Sequence, residues 1–232
     1  MKKLLTLTTV ALLFSGCASR PPPPEWQSQA HAALTHYTGA YLSGNNRVAD
    51  LEFERARAEI ARTGRSDLMA RIELLRCATQ VASLVLTPCA AYHALAGDAP
   101  LAEQTYADFI SGKWTGLDAT RLPPPYQELV RQSQAQAEKS DSPSPMTTAP
   151  DHGKLLSIED PLARLVAAGS LLQREPLTST DIDMAVETAS SRGWRRPLLA
   201  WLSVQLKHKQ AIGAADAAAG IQRRIDLVLQ KN

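Results

Sequence analysis

Cysteine, histidine and serine set the range of chemistry open to this chain of 232 residues. It holds Cys17, Cys77 and Cys89, and five histidines, His31, His36, His93, His152 and His208. Two metal ligands on one helix face need a spacing of three or four, whereas His31 and His36 are five apart. Neither a His-Glu-x-x-His nor a Cys-x-x-Cys run occurs. His93 reads as a helix residue, His152 as a linker residue and His208 as part of a solvated basic face. A serine nucleophile would need a base and an orienting group beside it. Gly169-Ser170 sits in the apolar run Ala-Ala-Gly-Ser-Leu-Leu, without the flanking glycines of a nucleophile elbow, and reads as small-residue helix packing. No glycine loop is built to cradle phosphate, and no basic stripe is interleaved with aromatics. Carboxylates are plentiful, but an acid–base pair needs a cleft to bring it together. No catalytic residue, metal or cofactor is therefore assigned.

The most specific pattern is an address. Lys2 and Lys3 form a basic start, Leu4 to Phe14 an apolar run, and Ser15-Gly16-Cys17 a small-residue cleavage site, which together read as a signal peptide over residues 1–16. The run is about eleven residues long, against the ~20 a membrane-spanning helix needs. Leu13-Phe14-Ser15-Gly16-Cys17 resembles the lipobox of bacterial lipoproteins, with Phe14 where that family usually has leucine. The resemblance implies cleavage before Cys17 and acylation of its sulfur and new amine with palmitate-like chains. Several acyl chains hold a protein stably on a membrane without crossing it. Ala18-Ser19 differs from the aspartate-led sequence of inner-membrane retention, so the implied destination is the outer membrane, facing the periplasm. Residues 17–25 then form a tether, in which Arg20 to Pro24 reads as a stiff polyproline spacer.

That address gives the other two thiols a meaning. With Cys17 acylated, Cys77 and Cys89 form an even pair in an oxidising space. On one continuous helix they would lie about 18 Å apart, while a disulfide needs Cα atoms within ~7 Å. The helix carrying Cys77 must then end before Cys89, and Leu86-Thr87-Pro88 is the expected reversal. The competing reading is a pair of buried free thiols.

Composition describes the body behind the tether. A hydrophobic fraction of 44% and a charged fraction of 21% are ordinary for a globular protein. The formal charge of +2 disappears when Lys2 and Lys3 are removed, so no strong field recruits nucleic acid. Apolar residues recur at helical spacing over 26–42, 47–63, 67–86, 90–95, 101–110 and 126–138, and again over 159–173, 181–191, 197–210 and 214–230. Nothing alternates with period two. The expected fold is all-α, with about nine or ten helices stacked as antiparallel hairpins. It divides into an N-terminal helical domain at 26–138, a flexible linker at 139–153 and a C-terminal helical segment at 154–232. Helix 67–86 is apolar on more than one face and reads as central. Ser66, Ser179 and Thr180 read as N-caps and Gly64 as a C-cap.

Three places share one offset: Gly44, Ala49, Phe53, Ala56; Gly97, Ala102, Tyr106, Phe109; and Gly213, Ala218, Gln222, Ile225. A glycine turn, a small contact one turn in and an aromatic beyond it resemble the turn and second helix of tetratricopeptide repeats. Generic helical hairpins share these features, and both readings stand. Lipid-anchored proteins of the tetratricopeptide type serve as outer-membrane assembly factors, pilus-secretin pilotins and scaffolds for cell-wall enzymes. What the resemblances imply is a non-enzymatic adaptor with a periplasmic or outer-membrane protein partner. A glycan-acting envelope enzyme with an unrecognised carboxylate pair, or a carrier of lipid or other apolar ligands, are the alternatives. Neither a nucleic acid nor a small-molecule substrate is expected. Trp194, Arg195 and Arg196, with Trp201, combine residue types enriched at interface hot spots, and they form the candidate partner surface. The competing reading places Trp201 in the core and leaves the two arginines solvated.

Overall fold

The computed structural model describes residues 22–140 and 155–229. The expected signal peptide, Cys17, most of the tether and nearly all of the linker lie outside the described residues. Among these, ten α-helices and two short 3-10 turns account for the regular structure, and no strand occurs. The helices are α1 (Glu25–Ser43), α2 (Asn46–Ala61), α3 (Ser66–Ala82), α4 (Ala90–His93), α5 (Leu101–Ile110), α6 (Pro124–Ser140), α7 (Pro161–Leu172), α8 (Ser179–Ser191), α9 (Arg195–Ala211) and α10 (Ala215–Leu229).

The first hairpin follows from its glycine. Gly44 takes φ +89°, and its N–H reaches the carbonyls of Ala40 and Tyr41. The Asn45 side chain then accepts the Val48 N–H and starts α2. Ala49, Phe53 and Ala56 are all buried, and Tyr37 packs on Phe53 with ring centroids 5.0 Å apart. The third offset behaves similarly: Gly213 has φ +73°, Ala218 and Ile225 are buried, and Gln222 is exposed. The middle one does not. Gly97 lies in the 3-10 turn Ala96–Asp98 without a positive φ, and Ala102 is exposed.

Helix α3 is the centre of the fold because it is apolar on two sides. Ile72 joins Ala30, Tyr37, Ala49, Phe53 and Ile60 in a small core under α1 and α2. Ala70, Leu74, Ala78, Val81 and Ala82 face the main core. That core takes Phe109, Trp114 and Val130 from the first half and Leu165, Trp201 and Ile225 from the second, so the C-terminal helices dock on the rest. Gly169 permits the α3–α7 crossing: a Cβ there would overlap the Val81 carbonyl oxygen.

Some boundaries differ from the sequence reading. Helix α3 stops at Ala82 rather than Leu86, because Leu84 turns the chain with φ +57° and Val85 N–H bonds back to Gln80 O at 3.0 Å. The reversal therefore comes before Leu86-Thr87-Pro88. It brings Cys77 and Cys89 together as a disulfide pair, with Cα atoms 5.9 Å apart. Thr178, rather than Ser179 or Thr180, caps α8, through a capping box with Asp181. Ser66 is the first residue inside α3 and Arg65 precedes it without a side-chain cap bond.

Candidate functional site

A groove opens where α3, α5, α7 and the start of α6 meet. Leu74, Leu75 and Ala78 come from α3, Ala102 and Tyr106 from α5, and Leu162, Ala163 and Val166 from α7. These positions repeat at intervals of one and four, so each helix turns one continuous apolar strip inward. Leu122, Pro123, Pro125 and Tyr126 close the far wall. Small side chains at Ala78, Ala102 and Ala163 keep the walls apart. The hollow measures about 630 Å³, within the roughly 300–1,000 Å³ typical of ligand sites.

Its polar side chains are few and each already has a partner. Arg71 Nε donates to Glu103 Oε1 at 2.8 Å. Arg121 Nε lies 3.0 Å from Asp118 Oδ2. Asp160 Oδ1 accepts the Ala163 N–H at 2.6 Å as the N-cap of α7. Thr79 Oγ1 donates to the Leu75 carbonyl at 2.9 Å. Tyr106 and Tyr126 stack with centroids 5.6 Å apart, and their hydroxyls hydrogen-bond each other. Burial pushes the Tyr106 hydroxyl up to about 12 and holds Tyr126 well above its ordinary value, so both stay neutral phenols.

The two carboxylates of the lining, Glu103 and Asp160, are thus committed to an ion pair and to a helix cap. An acid–base pair for glycan hydrolysis needs two carboxyl groups converging on one substrate bond. In each of these two, one oxygen is held by the scaffold: Glu103 Oε1 by Arg71 and Asp160 Oδ1 by the Ala163 N–H. The lining of the groove is mostly apolar.

Behind it lies a polar knot that sequence reading assigns only as packing. Trp114 is buried, stacks on Phe109 at 5.1 Å, and carries the Arg174 guanidinium 4.6 Å above its ring. Its Nε1 donates to Phe109 O at 3.0 Å and to Ser170 Oγ at 2.9 Å. Ser170 Oγ donates in turn to Phe109 O, and Gln173 Nε2 reaches Ile110 O at 2.8 Å. These bonds reach the carbonyls of Phe109 and Ile110 at the end of α5, and Phe109 O also accepts the Gly112 N–H at 3.0 Å. Ser170 is fully occupied there as a structural hydroxyl.

The residues singled out from sequence do not meet at the groove. Trp201 is in the core and donates from Nε1 to Ala82 O at 3.1 Å, closing the end of α3. Trp194 is half-buried before α9. Arg195 Nε donates to Val228 O at 3.1 Å and so ties α9 to α10. Arg196 Nε donates to Tyr41 O at 2.7 Å, its Nη2 bonds Asn46 Oδ1, and its guanidinium lies 4.1 Å from the Tyr41 ring centroid. Arg196 thus holds α9 against the α1–α2 hairpin, while Arg195, itself exposed, ties α9 to α10. His36 faces Glu52 at 3.8 Å, and His208 Nε2 shares a 2.6 Å hydrogen bond with Ser179 Oγ that links the start of α8 to the end of α9. Nearby Asp183 accepts from Gln205 Nε2 at 2.6 Å.

Among the described residues, no three metal-ligating side chains cluster, and no helix is long and apolar enough to cross a membrane. No protein-family model, curated protein or solved structure matches the chain.

Proposed function

We propose that this chain is a lipid-anchored protein of the bacterial envelope that works by binding, and that the groove between α3, α5, α6 and α7 is where it binds. The lipobox at Leu13 to Cys17 supports the anchor, and the tether after it supports a body held off the membrane. One observation carries the binding reading: an apolar hollow of about 630 Å³ on a helical scaffold, with every polar side chain of its lining already engaged. Such a surface recognises an apolar group. In the envelope this suits an adaptor on the periplasmic face of the outer membrane that grips a partner of an assembly, secretion or cell-wall machine.

The test is capture from crosslinked envelopes, comparing the natural chain with one in which Ala102→Trp fills the groove. A partner recovered with the natural chain and lost with the variant supports the reading. Equal capture by both, or none by either, contradicts it. The anchor is tested separately: palmitate labelling of the mature chain that vanishes with Cys17→Ser supports it, and an unlabelled natural chain removes it.

A second reading, a carrier of apolar ligands, draws on the same hollow, because its size suits a small molecule as well as a partner's side chains.

A further inference from the structure

The satisfied lining narrows what the groove can hold. A peptide backbone, a sugar or a nucleotide brings its own donors and acceptors, and each loses water on entering. Such groups recover that loss only where the wall offers free partners. The wall of Leu74, Leu75, Ala78, Leu162, Ala163 and Val166 has no polar side chain, the exposed Arg71 and Arg121 standing at its rim. Here Thr79 is bonded to its own helix, Arg71 to Glu103, Asp160 to α7, and Tyr106 to Tyr126. Pro123 and Pro125 bring no backbone N–H to the wall. A hydrocarbon loses nothing on entry and gains by leaving water. The charges of the lining are also balanced, Arg71 and Arg121 against Glu103 and Asp160, so no net field selects an anionic or a cationic occupant.

We infer that the groove takes the acyl chain of a membrane amphiphile, its hydrocarbon lying against Leu74, Leu75, Leu162 and Val166 and its head left in water at the charged rim. This rests on the groove being the binding site and names what fills it. The specificity follows from the wall chemistry: the site reads chain length and ignores the head.

The experiment uses the mature chain made from residue 18, without the apolar leader and the acylated Cys17, so that no detergent is needed. It is titrated with dansyl-undecanoic acid and followed by dansyl fluorescence. The probe is then displaced by fatty acids and by lysophosphatidylcholines of matched chain length. The expected result is saturation at one probe per chain. Displacement should tighten by about tenfold for every two methylenes added, in the same order for both head groups. Ala102→Trp should weaken probe binding at least tenfold, and Leu227→Trp, at a surface position outside the groove, should leave it unchanged; melting temperatures confirm that both variants fold. Absence of saturable binding, indifference to Ala102→Trp, or displacement that follows the head rather than the chain overturns the inference. If envelope crosslinking captures a protein partner that Ala102→Trp abolishes while no amphiphile binds, the acyl inference fails and the groove remains a protein site.

Discussion

Gly169 has no side chain because the Val81 carbonyl stands where one would begin. Replacing it with alanine pushes α7 away from α3 at the middle of the main core. The expected loss for Gly169→Ala is about 2 kcal/mol, the cost of overpacking a tight contact, read as a lower urea midpoint with an unchanged slope. Tyr106 makes a prediction of a different kind. Burial raises its hydroxyl from 10.0 to about 12 in the folded chain, so the folded state holds that proton more tightly than the unfolded state does. Its contribution to stability is complete below pH 10 and drains away as pH rises from about 10 to about 12. Urea unfolding across that window should fall more steeply with pH for the natural chain than for Tyr106→Phe. Equal slopes would mean that this hydroxyl is not buried as described.

At the scale of the element, α3 shows what periodicity reveals and what it misses. Leu68, Ile72 and Leu75 on one side, with Leu74, Val81 and Ala82 on another, mark a helix that must be covered twice, and two cores do cover it. Its end was harder to read. Val85 and Leu86 continue the apolar pattern past Ala82, and no residue type announces that Leu84 will take a left-handed turn. The disulfide pair depends on that turn. Opening Cys77–Cys89 by reduction releases the loop it closes and should lower stability by about 3 kcal/mol, measured as unfolding in urea with and without reductant. A change within error would show that the loop is held by its packing alone. Arg196 also belongs to this scale. A basic pair beside tryptophan has the composition of an interface, and one member of it, Arg196, meets Tyr41 and Asn46 of the same chain. Composition cannot separate an outer contact from an inner one.

For the molecule as a whole, the helices and the all-α class were legible because alanine, leucine and aromatic spacing repeats locally. The groove was not. Its walls come from residues 71–79, 102–106, 121–126 and 160–166, and nothing local says that α7 will cross α3 at Gly169 and leave a hollow beside the crossing. Pro123 and Pro125 form a wall without N–H groups only once α5 and α7 are in place. The lipobox resemblance at Leu13 to Cys17 rests on sequence alone and lies outside the described residues. Among the described residues, the helices make a body with an apolar groove. The most direct measurement places a benzoyl-phenylalanine at position 102, inside the groove mouth, and another at position 227, which is 68% exposed on α10. After illumination of living cells, the account predicts a recurring adduct, lipid or protein, from position 102 and none from position 227. No adduct at 102, or the same adducts from both positions, would contradict it.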